Sequence, residues 1–295
     1  MILNNVTYWL ELYHFDGLRL DEVHAIADNS PKHILQEIGE RVDRLAERLG
    51  RKLAVIAESD ENQVRLINPR KKGGYGLHAQ WMDDFHHCFH SLLTGERQGY
   101  YMDYGDINDL KKVYRNYLYT GAYSRFRGIN RGCDASGNPG RQFVVALQTH
   151  DQVGNRAFGE RLSRLVDFPY LKAAAGMLFM APYVPLLFMG EEYGEENPFL
   201  FFTDYGDPEL KQAVYEGRRE EFKDFGWKEV PDPEEDSTFY HSRLTPPVRW
   251  TDRQQRLFEY YRELIALRKT HPALQLPDKN SLEIEIYPEQ QVVEI

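Results

Sequence analysis

Residues 52–59, KLAVIAES, carry an apolar run with no alternation of polar side chains. A strand with one wet face alternates, so this pattern belongs to a strand covered on both faces, as in a parallel sheet flanked by helices. The segment before it agrees. Ser30 and Pro31 offer an N-cap and a proline at the first helical position, and Ile34, Leu35, Ile38, Val42, Leu45 and Leu49 share one apolar face before Gly50. A helix over 31–49 is therefore expected. Upstream, DGLRLDEVHAI (16–26) reads as a further strand, which completes a βαβ unit. The pattern recurs in LHAQW (77–81) before helical DDFHHCFHSLL, in RQFVVALQ (141–148) before FPYLKAAAGMLFM, and in VPLLFMG (184–190). About five buried strands, most followed by helices, predict a parallel α/β sheet.

The chain ends read differently. Ile2, Val6, Trp9, Leu10 and Tyr13 recur at helical spacing and predict an amphipathic helix at the N-terminus. The 195–250 stretch, with Pro231, Pro233, Pro246 and Pro247, reads as loop-rich. Thr251 and Gln254 form a capping box ahead of Leu257, Tyr261, Leu264, Ile265 and Arg268, so a helix should run to about Thr270. SLEIEIY and QVVEI then alternate as strands. The expected organisation is one large domain over 1–272 and the start of a small β module over 273–295.

Charge and cysteine usage narrow the partners. A net charge of -10 argues against nucleic acid or an anionic membrane and favours a neutral ligand. Cys88 and Cys133 are too few for a disulfide framework, and MILNNVTYWLELYHF lacks a basic segment followed by an apolar one. The expected location is the cytoplasm.

Each strong strand ends in a carboxylate: Asp21 after LRL, Glu58 after LAVIA, Asp151 just past FVVALQTH, and Glu191 with Glu192 after PLLFMG. Alternate strand residues share a face, so Arg19 and Asp21 project to the same side. Barrels of parallel strands build their sites at this end, and paired carboxylates there suit glycosidic chemistry. DGLRLDEVHAI, AVIAES and LQTHDQVGNRA resemble, in order, the second, third and fourth signatures of the α-amylase superfamily (glycoside hydrolase family 13). The resemblance implies a (β/α)8 TIM barrel of the α-amylase type. It further implies Asp21 as nucleophile, Arg19 as its cationic neighbour, Glu58 as general acid/base and Asp151 as stabiliser of the distorted sugar.

AQWMDDFHHCFHSLLTGERQGYY and LLFMGEEYGEENPFLFFTDYGDPEL resemble more narrowly the subfamily that releases trehalose from maltooligosyl trehalose, the maltooligosyltrehalose trehalohydrolases. This implies a retaining hydrolase acting on maltooligosyl trehalose and related α-glucans, with no metal or organic cofactor. The implied substrate contacts are Arg19, His24, Asp83, Asp84, His86, His87, His150, Gln152 and Asn155. His86 and His90 share a helix face, but no HExxH pattern accompanies them, so zinc is not expected. Phe201 or Phe202 offers an aromatic wall for a sugar ring. Two features depart from the superfamily pattern. Thr149 stands where asparagine is usual, and the first signature is missing, since a single helix precedes DGLRLD. The chain therefore reads as a fragment without the first three barrel strands and truncated within the C-terminal β module. A glucan branching enzyme, or a non-catalytic carbohydrate-binding fragment, uses the same residues and stays open here.

Overall fold

A computed structural model describes residues 1–221, 230–275 and 278–295. Its main sheet has five parallel strands: β1 (Gly17–Leu20), β2 (Ala54–Ala57), β3 (Ala79–Trp81), β6 (Phe143–Ala146) and β7 (Val184–Leu186), adjacent in that order. Between β3 and β6 the chain forms an antiparallel hairpin of β4 (Thr120–Ser124) and β5 (Ile129–Gly132). A second hairpin, β8 (Glu285–Tyr287) and β9 (Val292–Glu294), lies near the C-terminus. The register sets Gly17 against Ala54, Ile56 against Ala79, Gln80 against Phe143 and Val144 against Val184. All C-terminal strand ends therefore lie on one side, as the strand-end carboxylates require.

Apolar side chains of three helices cover the sheet and make one core. Leu35, Ile38, Val42 and Leu45 are the buried stripe of the helix Ile34–Leu49. Leu171, Ala174, Ala175, Leu178 and Phe179 are buried on Phe168–Met180, where small alanines allow close approach to the helix Asp252–Thr270. That last helix begins at the anticipated capping box, with Thr251 and Gln254 satisfying each other's backbone N–H groups.

Four expectations need correction. The first long helix starts at Ile34, because the Asp28 carboxylate accepts the Ser30 and Ile34 N–H groups and holds 28–33 as a turn, leaving the His33 ring to cap Leu35. In the N-terminal helix Val6 and Leu10 are buried, while Ile2, Trp9 and Tyr13 face outward. It passes from α (Ile2–Thr7) into a π turn (Tyr8–Leu12), which breaks the 3.6-residue spacing. The 195–250 stretch contains the helices Pro208–Glu221 and Asp236–His241. The first opens with a proline at N1 and Asp207 accepting from Glu209, signals that its weak apolar periodicity concealed. The β4–β5 hairpin was not anticipated: its strands are short and mostly exposed, with Ser124 alone fully buried in them, and Gly128 and Gly132 take left-handed conformations that no hydrophobic pattern marks.

Among the described residues each of β1 and β7 has one strand neighbour in this sheet, leaving open edges, and Ile2, Trp9, Leu12, Tyr13 and Phe15 are exposed in the segment that precedes β1. Open edges with adjacent apolar surface favour association. The 295-residue chain expressed alone is expected to bind a hydrophobic dye strongly or to self-associate in sedimentation. A compact monomer that binds no dye would contradict this.

Candidate active site

Arg19 is the centre of the strand-end cluster. Its Nη1 pairs with Asp21 Oδ1, and its Nη2 lies 3.5 Å from Asp151 Oδ2 and 3.8 Å from Glu58 Oε2. The guanidinium also sits 4.5 Å over the Trp81 ring, a cation–π contact. The C-terminal ends of β1, β2 and β6 thus place Asp21, Glu58 and Asp151 around one cation. Asp21 is 73% exposed and Glu58 only 13%. The Glu22 N–H donates to Glu58 Oε2 at 2.6 Å, while the Glu58 N–H reaches Leu20 O and the Val23 N–H reaches Glu58 O. Glu22 adopts a left-handed conformation, φ 40°, to make this crossing.

Asp151 belongs to the short helix His150–Gly154, whose N-cap is Thr149. The Thr149 hydroxyl accepts the Asp151 N–H at 3.2 Å and donates to Gln152 Oε1. A threonine can therefore do the capping work at the position where the superfamily usually has asparagine. His150 lies 3.3 Å from Asp151 Oδ1 and edge-on to Trp81.

A cleft of about 160 Å³ adjoins the cluster, lined by Asp83, His87, Asp151, Gln152 and Asn155 among the anticipated residues. His24 lies elsewhere, in a neighbouring cavity with Tyr75, and reaches Asp60 at 3.8 Å. Asp84 and His86 do not form a rim. Asp84 touches the cleft wall but is buried, with its carboxylate taken by Asn62 Nδ2, the Tyr104 hydroxyl and the Leu118 N–H at 2.6–2.7 Å. His86 is buried with both ring nitrogens engaged, by Leu147 O and the Tyr101 hydroxyl, and burial lowers its pKa well below the usual histidine range. Asn155 Oδ1 accepts from Arg218 at 3.0 Å. Phe201 lies under Arg218, 4.3 Å from its guanidinium, and neither it nor Phe202 lines the cleft. Glu191 is buried against Tyr261 and Gln148, and burial raises it to about 7. Among the described residues no cluster of His, Cys, Asp or Glu could hold a metal ion.

Sequence reasoning missed Trp81, Asp60 and the hairpin's contribution. Phe126 and Arg127, at the turn between β4 and β5, line the cleft, and Arg127 pairs with Asp60 across it. Asp103 anchors that turn by accepting from Ser124 Oγ, the Arg125 N–H and the Phe126 N–H. The paired arginines of SRFRGINRG were the available signal. A second missed group braces the site from beneath: Arg156 holds Glu96 in a two-pronged ion pair at 2.8 and 2.9 Å, and His90 reaches the same carboxylate at 2.7 Å.

Comparison with known proteins gives the class. The fold matches a crystal structure of a provisionally assigned alpha amylase from Salmonella typhimurium, with a TM-score of 0.88 and 38% identity, covering 97% of this chain and 50% of that one. An alpha-amylase from Geobacillus thermoleovorans complexed with acarbose shares the fold at a TM-score of 0.53 and 18% identity, over 92% of this chain and 44% of that one. The five parallel strands are therefore part of an α-amylase-type (β/α)8 barrel. No family profile matches the chain. Its sequence is 49% identical over 271 residues to the malto-oligosyltrehalose trehalohydrolase of Saccharolobus solfataricus, covering 92% of this chain and 46% of that protein. It is 41% identical over 295 residues to the one from Mycobacterium tuberculosis, covering 98% and 51%. The chain belongs to the malto-oligosyltrehalose trehalohydrolase family and spans about half the length of the curated relatives it matches.

The Glu96 brace makes stability depend on pH. Burial alone would raise this carboxyl, but hydrogen bonds from His90 and Arg156 and the Arg156 charge outweigh it and hold the pKa at about 2, against an ordinary 4.5. A depressed carboxylate stabilises the fold above its unfolded pKa, and the contribution is lost as pH falls from about 4.5 towards 2. Glu96→Gln should therefore be less stable than wild type at neutral pH and lose less stability on acidification through that window. Urea unfolding followed at several pH values checks this; parallel losses in the two proteins would remove Glu96 as the titrating group.

Proposed function

We propose that this chain carries the reacting carboxylates of a retaining glycoside hydrolase that cuts the α-1,4 bond next to the terminal trehalose of maltooligosyl trehalose. The observation that carries the proposal is the convergence of Asp21, Glu58 and Asp151 on the Arg19 guanidinium. With Oδ1 held by Arg19, Asp21 attacks the anomeric carbon through Oδ2. The glycosidic C–O bond breaks as the new bond forms, and the leaving oxygen takes the Glu58 proton. Oε2 of Glu58 is anchored by the Glu22 N–H, so Oε1 is the oxygen that delivers this proton. A water then attacks the glycosyl–Asp21 ester, giving its proton back to Oε1 while the C–Oδ2 bond breaks, so two displacements retain configuration. Asp151, whose two oxygens face Arg19 and His150, supports the positive charge that develops on the sugar ring.

His87, Gln152 and Asn155 offer hydrogen-bonding side chains along the cleft wall for sugar hydroxyls. Neither step calls for a metal or organic cofactor, and a neutral glucan suits a chain of net charge -10. Residues 1–272 serve in this reading as the C-terminal part of the barrel and 273–295 as the start of a β domain. The two free cysteines favour the cytoplasm as its location.

The complete enzyme containing this chain should release trehalose from maltotriosyl trehalose. New α-1,6 links in place of free trehalose would replace the hydrolase with a branching enzyme. Asp21→Asn should lower turnover at least about 10³-fold with the fold retained, and a mechanism-based fluoroglycoside should label Asp21. Labelling of Glu58 would reverse the two roles. Glu58→Gln should cost roughly 10²–10⁴-fold on natural substrates but far less on aryl glycosides with good leaving groups, which need little protonation. Equal losses on both substrate types would exclude Glu58 as the acid.

A further inference from the structure

Carboxyl groups follow four adjacent strands, β1, β2, β3 and β6: Asp21, Glu58, Asp83 and Asp151. Three of them share Arg19. The fourth does not. Among the described residues Asp83 takes part in no ion pair and nothing hydrogen-bonds its carboxyl group, while its backbone carbonyl meets His87 Nδ1 at 2.5 Å. The adjacent Asp84 is the opposite case, with its carboxylate filled by Asn62, Tyr104 and Leu118. Two neighbouring acids on one helix thus differ in kind: one is a satisfied interior anion, and the other has a bare carboxyl group on the cleft wall.

The surroundings of Asp83 oppose a negative charge. Burial comes first, followed by the charges of Glu58, Asp151 and Asp84, with Arg19 alone acting the other way, and the carboxyl is raised to about 7. Arg131, also on the cleft wall, lies over the Tyr119 ring, 5.1 Å from its centroid. His87 is kept neutral by burial, its pKa lowered to about 4. Tyr100, across the cleft, is raised to about 12, chiefly by burial. Arg127 is committed to Asp60. Asp83 does open the helix Asp83–Thr94, whose dipole favours an anion, but no N–H of that first turn bonds to its carboxyl group, so this effect is weak.

We propose that Asp83 serves the cleft as a neutral carboxylic acid, donating a hydrogen bond to a hydroxyl oxygen of the bound glucan, while the three carboxyls around Arg19 carry the charge of the reaction. The proposal rests on the α-glucan reading above. A protonated acid can donate to a sugar oxygen, whereas a carboxylate can only accept and would add a further anion to the cluster. The donor is present below the Asp83 pKa and lost as pH rises through about 7, so glucan affinity should fall on the alkaline side.

Two measurements test this. Aspartate carboxyl carbons labelled with ¹³C in the complete enzyme should include one signal that titrates near 7 and vanishes in Asp83→Asn. In the complete enzyme, Asp83→Asn keeps a donor and should lose the alkaline limb that this group sets while being less impaired below neutral pH than Asp83→Ala. Asp83→Ala should raise KM on the order of tenfold below neutral pH, the scale of one lost hydrogen bond, and the gap to wild type should close as pH rises through about 7. An Asp83 signal already ionised well below pH 6, or an asparagine variant as impaired as alanine, would overturn the proposal. The spectroscopic readout is independent of the reaction. A neutral Asp83 without trehalose release would sink the functional reading alone, and trehalose release with an ionised Asp83 would sink this one alone.

Discussion

Three carboxyl groups gathered at the C-terminal ends of β1, β2 and β6 oppose one another's ionisation, and a cation among them makes the arrangement tolerable. Arg19 meets this need because a guanidinium is permanently charged, planar and forked, so Nη1 serves Asp21 while Nη2 faces Glu58 and Asp151. A lysine would offer one point of charge on a flexible stem. The fork is itself held in place: its stem rises from β1, where Arg19 pairs with Ile56, and its plane rests on Trp81 from β3. The cluster therefore depends on three neighbouring strands staying in register. Loss of Arg19 would release all three carboxylates at once.

Much of this architecture was legible in the sequence, and the boundary of legibility has physical causes. Doubly covered strands announce themselves because burial demands continuous apolar side chains, as in FVVA of β6, whereas in AVIA of β2 Ala54 and Ile56 are only half-buried. Period two put Arg19 and Asp21 on one side, and their side chains do meet. The capping box at Thr251 could be read because both partners lie within one turn. Contacts made across the chain could not be read. Nothing local says that Asp84 will gather donors from residues 62, 104 and 118, or that His86 turns towards Leu147. Asp28 overrode the Ser30–Pro31 helix start in the same way, through hydrogen bonds that no periodicity encodes.

The β4–β5 hairpin shows how a site gains a wall without a new core. Its strands bury little, yet Asp103 fixes the turn through hydrogen bonds to residues 124–126, and Arg127 ties the tip to Asp60 at the end of β2. Polar anchors do here what apolar packing does for the sheet. Beneath the cleft, the Arg156–Glu96–His90 group joins the segment after the Asp151 helix to the helix that carries Asp83 and His87. The wall and its footing are thus both electrostatic, and the hydrophobic core supports them from below.

The left-handed backbone at Glu22 couples two positions that chemistry would otherwise adjust separately. Its N–H grips the Glu58 carboxylate one residue after Asp21, so the side chain from β2 is leashed to the main chain that presents the neighbouring acid. The gap between the two acids is therefore gauged by a single peptide unit and not by independent rotamers. Outlying loops can lengthen, shorten or change composition without altering that gauge, which leaves substrate choice free to drift while the spacing of the two acids stays constant.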